Sequence, residues 1–184
     1  MDSRSTPSRH LTIDEYLAFE ETSPVRHEYV GGTLYALAGG SDRHNRIALT
    51  IASTLLAESR TGPCRVYMTD MKLQVDRVFC YPDVMVCCEP PKQENPVFRT
   101  DPCLLIEVLS PGTAAKDRRE KLIVYSGMPS LRAYLLVDQD VQHVERRFRD
   151  ADGVWQRADH FSGGSVPLPC PETRLALDDI YRGL

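Results

Sequence analysis

Two carboxylates interrupt stretches of sequence that otherwise predict buried β-strands. Glu107 lies in the middle of the apolar run CLLIEVLS, and Asp83 follows a proline and directly precedes the run VMVC. Burying an isolated charge is costly, so each carboxylate needs a counter-charge, a proton or a cation. If the two strands are neighbours, the acids meet near one edge of a buried sheet. There they can share a proton, pair with a base or hold a divalent metal.

A lysine that follows the second acid offers a cation. Residues 113–126 predict a helix, which Gly127 terminates. Asp117 and Lys121 are four residues apart on one face of that helix, and the same face carries Tyr125. A lysine ammonium beside two metal-bound carboxylates can orient a water molecule and stabilise charge on a phosphorus centre.

The segments before the acidic pair predict a helix, a hairpin and a second helix. A capping box that starts at Thr12 opens a helix running to about residue 21. Two alternating runs flank Gly31-Gly32, which predicts a hairpin whose turn requires positive φ. Ser41 or Asp42 caps a long helix that runs to about residue 60, and its positions 44, 48, 51 and 55 form one stripe.

The remaining elements complete an α/β pattern. Strands are predicted at 65–68, 72–75, 83–88, 103–109 and 131–138, with a hairpin of 142–149 and 154–159 and a helical turn at 177–181. The strand at 103–109, the helix after it and the next strand have the βαβ form that favours a parallel crossover. We therefore expect one α/β domain over residues 1–184, with helices on the faces of a mixed sheet and a flexible segment at 1–10.

Composition limits the classes of protein that fit this chain. Hydrophobic residues make up 42% of it and charged residues 26%, which are ordinary values for a globular protein. The net charge of −4 argues against coating nucleic acid by charge alone, although a local basic groove is compatible with it. The sequence has neither an apolar run of about 18 residues nor the apolar core of a signal peptide, which predicts a cytoplasmic protein without a membrane span.

The six cysteines show no metal-binding pattern. They form no C-x-x-C pair, and no histidine follows them at finger-like spacing, which argues against a structural zinc site. Four of them lie in or beside apolar, strand-like stretches. We expect the cysteines to be reduced and to pack as small hydrophobic side chains.

Four motifs, in their order along the chain, resemble those of a known group of nucleases. YPDVMV from Tyr81, LIEVLSPGT from Leu105, DRREK from Asp117 and YLLVD from Tyr134 resemble the bacterial Uma-two group of proposed endonucleases, within the PD-(D/E)XK nuclease superfamily. The likeness extends from about residue 11 to residue 181. It implies a restriction-endonuclease-like α/β fold, in which helices flank a mixed central sheet and an N-terminal helix and hairpin precede it. It also implies Mg²⁺- or Mn²⁺-dependent hydrolysis of DNA phosphodiester bonds by a homodimer.

The resemblance assigns roles to particular residues. It makes Asp83 and Glu107 metal ligands, with the backbone carbonyl of Val108 as a third ligand. The Glu-x-Lys pattern of the superfamily would place the lysine at position 109, where this chain has Leu109. Lys121 resembles the relocated lysine that the group carries on the next helix, and it would assist the attacking water.

Further candidates lie outside the acidic pair. HEYVGG from His27 resembles the group's Glu-Leu-Ile-Asp-Gly stretch, which makes Glu28 an additional acid. SDRHNR matches the group's histidine at a helix start, which makes His44 a site candidate. The basic residues of the predicted crossover helix are candidate phosphate contacts, namely Lys116, Arg118 and Arg119.

Each of these residues also has a purely structural interpretation. Glu107 could form an ion pair with an arginine such as Arg132, and Asp83 could cap a turn. Glu28 could lie at an exposed edge opposite Tyr35. Lys121 could be a solvated helix residue, and His44 could belong to the core. Tyr125 and Trp155 are expected to be packing residues.

Two other functions remain open: an inactive nuclease-fold protein that binds nucleic acid or a protein partner, and a metal-free hydrolase that uses the acids as an acid–base pair.

Overall fold

The strands of the chain lie in three β-sheets within residues 10–88, 96–110 and 117–184, the part that the computed structural model describes. Residues 1–9, Lys116 and the rest of the first turn of the predicted crossover helix lie outside this part. The helices are α1 (Ile13–Thr22), α2 (Asp42–Glu58), α3 (Leu122–Ser126), which a π-helical turn at Asp117–Lys121 precedes, and α4 (Leu177–Ile180). None of the helices found in these ranges is long and apolar enough to cross a membrane.

The strands are two to seven residues long. In chain order they are β1 (His27–Val30), β2 (Thr33–Ala36), β3 (Arg65–Met68), β4 (Lys72–Val75), β5 (Val78–Cys80), β6 (Val84–Cys87), β7 (Phe98–Arg99), β8 (Leu104–Leu109), β9 (Ala133–Asp138), β10 (His143–Arg149), β11 (Trp155–Phe161), β12 (Ser165–Pro169) and β13 (Glu172–Ala176). β12 and β13 pair only with each other in the third sheet.

The central sheet is mixed. Its strand order is β11-β10-β9-β8-β6-β3, and β8 and β9 are parallel whereas the other neighbours are antiparallel. All six residues of β8 are buried, as expected for a strand that is covered on both faces. The predicted mixed sheet and the parallel connection from β8 to β9 are therefore confirmed.

A second sheet carries the N-terminal hairpin. Its order is β2-β1-β5-β4-β7. Gly31 and Gly32 connect β1 to β2 with φ angles of 55° and 109°, which residues with a Cβ rarely adopt. Thr12 caps α1 in the predicted capping box. α1 packs on this sheet through Tyr16, whose ring stacks on that of Tyr29 with the centroids 5.0 Å apart.

Two hydrophobic cores cover the two faces of the central sheet. Ile106 packs with Ile51 of α2 on one face, whereas Leu105 and Leu109 pack with Tyr125 of α3 on the other. Full burial of such an apolar side chain stabilises the fold by about 1.5–3 kcal/mol. The alternation of apolar residues along β8 thus fixes one helix on each face of the sheet.

The sequence prediction missed β5, β7 and the hairpin of β12 and β13. β5 and β7 are too short to show an alternating pattern. Pro167 and Pro169 indicate a loop by sequence, yet they lie in β12. A strand with a neighbour on one side only tolerates proline, because its other edge donates no ladder hydrogen bonds.

Four cysteines form disulfide bonds, so the prediction of reduced cysteines that pack singly is wrong for them. Cys64 is bonded to Cys88, and Cys103 to Cys170. The reason is tertiary. β3 and β6 pair Arg65 with Cys87, so the next pair along the two strands is Cys64 with Cys88, which no spacing in the sequence reveals. Cys80 and Cys87 are free and buried, as expected.

Candidate active site

Asp83 and Glu107 lie at one end of the central sheet. Val84 faces Ile106 in the antiparallel register of β6 and β8, which places the preceding Asp83 beside the following Glu107. The Oδ2 atom of Asp83 accepts a 2.7 Å hydrogen bond from the backbone N–H of Val108. Glu107 is only 3% exposed. The two strands are neighbours, as the interpretation of the sequence required, and β8 itself anchors the aspartate.

Lys121 supplies a counter-charge to Glu107. Its Nζ atom lies 2.8 Å from Glu107 Oε1, and the Tyr125 hydroxyl donates to the same oxygen at 3.2 Å. Lys121 ends the π-helical turn and Tyr125 lies four residues further on, so one helical face directs both side chains to the strand. Burial raises the pKa of Tyr125 well above its ordinary value, and the neighbouring Cys80 and Glu107 add to the shift. Tyr125 is therefore a neutral hydrogen-bond donor at physiological pH.

Glu28 brings a third carboxylate from the second sheet. Its Oε1 atom lies 3.6 Å from Lys121 Nζ, so the ammonium stands between a glutamate of β1 and Glu107 of β8. Glu28 faces Tyr35 across the hairpin, as the sequence indicates. It is nevertheless buried, because β1 also pairs with β5 and is not an edge strand. The exposed-edge interpretation of Glu28 is therefore wrong.

His44 reaches Asp83 from the side of α2. Ser41 caps this helix by accepting a 3.1 Å hydrogen bond from the backbone N–H of His44, which fixes the direction of the first turn. The His44 Nε2 atom lies 3.1 Å from Asp83 Oδ2. Gly40 lies against the imidazole, since a Cβ at this glycine would be 2.9 Å from His44 Nδ1. His44 thus stands at the end of the apolar stripe of α2 rather than inside the core.

These side chains line one cleft of about 410 Å³, a volume in the usual range for ligand sites. The sequence candidates in its wall are Glu28, His44, Asp83, Glu107, Val108 and Lys121. Gln139, which the sequence analysis did not single out, closes one side. Its side-chain carbonyl accepts from Ser41 Oγ and its backbone carbonyl from Arg43 Nε, both at 3.0 Å. These bonds hold the start of α2 against the end of β9.

The chemistry of the cleft fits a hard divalent cation. In its described lining, not counting His44, three carboxylates face two cationic side chains, those of Arg26 and Lys121. Carboxylate and carbonyl oxygens are the ligands that Mg²⁺ and Mn²⁺ prefer. The N–H and C=O of one strand residue point to the same side, so Val108, whose N–H bonds Asp83, directs its carbonyl towards β6 as well.

Arg118 and Arg119, two of the three candidate phosphate contacts, are not part of the described lining. Arg119 is exposed, and Lys116 lies outside the described residues. Arg118 Nε lies 3.9 Å from Glu145 Oε2. Glu145, on β10, is buried and also pairs with Arg147 at 2.7 Å. Arg118 thus belongs to an ion-pair cluster around Glu145, and a contact between Arg118 and phosphate stays a prediction.

The two aromatic residues expected to pack have different roles. Trp155 does pack: its Nε1 atom donates to the carbonyl of Ser126 at 3.1 Å, and the guanidinium of Arg149 lies 4.8 Å from its ring centroid. Tyr125 also holds Glu107, which the sequence analysis missed. Its spacing of four residues from Lys121 on one helical face was the signal that could have revealed this contact.

The fold and the cleft together define the class of protein. A mixed sheet flanked by helices, with an acidic cleft at the end of neighbouring central strands, is a restriction-endonuclease-like fold. A crystal structure from Anabaena variabilis, described as that of "a putative nuclease belonging to DUF820", superposes on this chain with a TM-score of 0.74. The sequences are 22% identical, and the match covers 93% of this chain and 97% of that one. This likeness confirms the predicted fold.

The chain belongs to the Uma2 family, whose model matches residues 13–178 and is described as "Putative restriction endonuclease". Two uncharacterized proteins of Synechocystis sp. are similar to it. One is 35% identical over 184 residues, covering 99% of this chain and 97% of the relative. The other is 34% identical over 149 residues, covering 79% and 84%. The family that the four sequence motifs indicated is therefore confirmed.

Proposed function

We propose that the protein is a Mg²⁺- or Mn²⁺-dependent endonuclease that hydrolyses phosphodiester bonds of DNA. The observation that best supports this is the position of Lys121, 2.8 Å from Glu107 and 3.6 Å from Glu28 in the cleft that Asp83 also lines. Buried ion pairs seldom add stability to a fold, so stability alone does not account for these groups. Charged groups that converge on a cleft are typical of a site that meets a charged substrate.

Asp83 and Glu107 would hold the divalent cation, with the Val108 carbonyl as a further ligand. A cation bound there neutralises charge on the scissile phosphate and lowers the pKa of a water molecule. Asp83 is fixed between the Val108 N–H and His44, so its carboxylate needs little reorganisation on binding. Glu28 would support the same site from the second sheet.

Lys121 would act on the attacking water. Its ammonium can donate to the water oxygen while Glu107 and Glu28 hold it in position. A bond forms between the water oxygen and phosphorus as the bond from phosphorus to the leaving sugar oxygen breaks. The water loses a proton to solvent and the leaving oxygen takes one up, which yields a phosphomonoester and an alcohol. The ammonium stabilises the negative charge that develops on the phosphoryl oxygens.

The substrate and the assembly in this proposal rest on the family. A restriction endonuclease family points to DNA, and a homodimer would present one cleft to each strand of a duplex. Arg119 is exposed two residues before Lys121, where it can contact a neighbouring phosphate.

Nicking of supercoiled plasmid tests this function. We expect nicking that requires Mg²⁺ or Mn²⁺ and stops with a chelator. Asp83→Asn should slow it at least about 100-fold, a loss typical of one electrostatic catalytic group. Asp152→Asn is the matched control, because Asp152 lies in the exposed turn between β10 and β11.

Three outcomes would contradict the proposal. Nicking that survives the chelator would favour the metal-free acid–base hydrolase. Nicking that is equal in Asp83→Asn would place the chemistry elsewhere. Calorimetric binding of the metal without any nicking would favour an inactive nuclease-fold protein that binds nucleic acid or a protein partner.

A further inference from the structure

Four cysteines converge at the end of the central sheet that is opposite to the acidic cleft. Cys64 precedes β3, Cys88 follows β6, Cys103 precedes β8 and Cys170 lies between β12 and β13. Asp83 precedes β6 and Glu107 lies near the end of β8, so the same two strands carry both clusters at opposite ends. Cys103 and Glu107 are four residues apart, which is about 13 Å in a strand that rises about 3.3 Å per residue.

The sulfur atoms of three of these cysteines lie close enough together to bind one metal ion, and the fourth is bonded to one of the three. Those of Cys88, Cys103 and Cys170 lie within 4.8 Å of one another, and those of Cys88 and Cys103 are 3.3 Å apart although no bond joins them. Cys64 is bonded to Cys88 and completes the set. In a tetrahedral zinc site with Zn–S distances of about 2.3 Å, neighbouring sulfurs are about 3.8 Å apart. The sulfurs of Cys88, Cys103 and Cys170 thus already lie near this spacing, and after reduction of the disulfide the Cys64 side chain would rotate to supply the fourth ligand.

The surroundings of the cluster are those of a closed structural site. Cys64, Cys103 and Cys170 are 9%, 8% and 4% exposed, within the core that α2 covers. They connect the segment after α2, the central sheet and the hairpin of β12 and β13, whose strands pair only with each other. Four sulfur ligands without an open position are typical of structural rather than catalytic zinc.

We propose that these four cysteines, in their reduced form, bind one zinc ion as a structural tetrathiolate site. Disulfides persist in oxidising compartments, whereas a reducing compartment would hold the same four cysteines as thiols. Reducing the two disulfides takes four electrons and four protons, which two molecules of a dithiol supply. Binding of zinc by the four thiols then releases up to four protons. The cysteines are separated by 24 residues in one bonded pair and by 67 in the other, so no zinc motif is visible in the sequence.

Metal analysis of the whole protein, purified with and without a dithiol, tests the proposal. We expect one equivalent of zinc per chain in the reduced protein and none in the oxidised protein. Co²⁺ added to the reduced, zinc-free protein should give the intense visible bands and the thiolate-to-cobalt charge-transfer band of a tetrahedral thiolate site.

Variants locate the bound zinc. Cys88→Ala and Cys170→Ala should each lower zinc affinity by more than about 100-fold, since loss of an outer-shell partner alone costs 10–100-fold. Cys87→Ala is the matched control, because this free, buried thiol packs in the other core and should keep the zinc. Asp83→Asn should also keep it, which separates this site from the acidic cleft.

Titration of the zinc-loaded wild-type protein with a mercurial tests the proposal even if the cysteine variants do not fold. Zinc should be released in step with thiol modification. The proposal is overturned by reduced wild type that binds zinc more weakly than on the order of 1 μM, by iron in place of zinc, or by zinc retained in both cluster variants. It is equally overturned if protein made in a reducing cytoplasm carries both disulfides and no metal.

Discussion

The partly buried Lys121 and the buried Glu107 form an ion pair, with Nζ and Oε1 2.8 Å apart, although the lysine belongs to the helical segment after β8 rather than to the strand. Position 109, two residues after Glu107 on the same strand face, holds a leucine that packs in the core with Tyr125. In the Glu-x-Lys pattern, a lysine at position 109 would lie on the same strand as Glu107. Here Lys121, from the helical segment, reaches the same glutamate. The core gains an apolar side chain and the cleft keeps its ammonium.

Replacement of Lys121 by methionine keeps the apolar stem of the side chain and removes its charge. We expect Lys121→Met to slow plasmid nicking by about 10²–10³, because the developing phosphoryl charge loses a donor. Binding of Mg²⁺, measured by calorimetry, should persist or tighten, since the carboxylates lose a competing cation. Lys72→Met is the control: this partly buried lysine of β4 lies 5.4 Å from the centroid of the Tyr81 ring, outside the described lining of the cleft. Wild-type nicking by Lys121→Met would remove the lysine from the mechanism.

Tyr125→Phe tests whether the phenol positions Glu107. The variant keeps the edge-to-face contact with Tyr134, at 5.1 Å between centroids, and loses the donor to Glu107. Loss of the hydroxyl, which also lies 3.3 Å from Cys80 Sγ, should lower the free energy of unfolding by about 1–3 kcal/mol, and nicking should slow as the glutamate loses its orientation. Tyr181→Phe is the matched control, because it also removes a phenol hydroxyl, one that donates to the backbone carbonyls of Asp138 and His143. Chemical denaturation should show a similar loss of stability in both variants, and only Tyr125→Phe should slow nicking. An equal effect on activity would make Tyr125 merely structural.

Gly40→Ala tests the placement of His44. The new methyl would lie 2.9 Å from His44 Nδ1, so the ring must move relative to Asp83. Nicking should slow, and the imidazole resonances of His44 should shift in NMR spectra. Gly39→Ala adds the same methyl where no atom lies within 4 Å, and should leave the His44 resonances in place. Identical His44 resonances in the two variants would show that Gly40 does not fix the ring.

The free energy of unfolding should depend on pH in the acidic range because of Asp159, which is distant in sequence from Asp83 and Glu107. Hydrogen bonds from Arg157 and then His143 lower the pKa of Asp159 to about 2, from an ordinary 3.8. The folded state therefore binds fewer protons than the unfolded state, so this stability is present above about pH 4 and is lost as the pH falls towards 2. Asp159→Asn should flatten the pH dependence of the free energy of unfolding in that window, measured by urea denaturation. Parallel curves for variant and wild type would contradict the assignment.

The local part of this structure could be predicted from sequence. The buried strand around Glu107, the glycine turn at Gly31 and the helix start at Ser41 each depend on neighbouring residues alone. Apolar alternation and capping chemistry therefore indicated them. The parallel crossover from β8 to β9 followed from the order of strand, helix and strand.

Contacts between distant elements could not be predicted in this way. Glu28 approaches Lys121 because the N-terminal sheet meets the crossover helix, and the disulfide of Cys103 with Cys170 joins segments that are 67 residues apart. Period and spacing describe one element at a time, so they do not say which faces meet. The strand β12 was missed for a related reason. Its prolines indicate a loop, but a strand tolerates proline when it has a neighbour on one side only.

The claim that Asp83 and Glu107 share one divalent cation is tested most directly by anomalous diffraction from crystals soaked in Mn²⁺. We predict a single anomalous peak between the two carboxylates, with oxygen atoms of both residues about 2.1 Å from it, as for a hard octahedral ion. The peak should be absent from crystals of Asp83→Asn. A saturating soak that leaves the two acids without manganese, or that places it on other residues, would contradict the account.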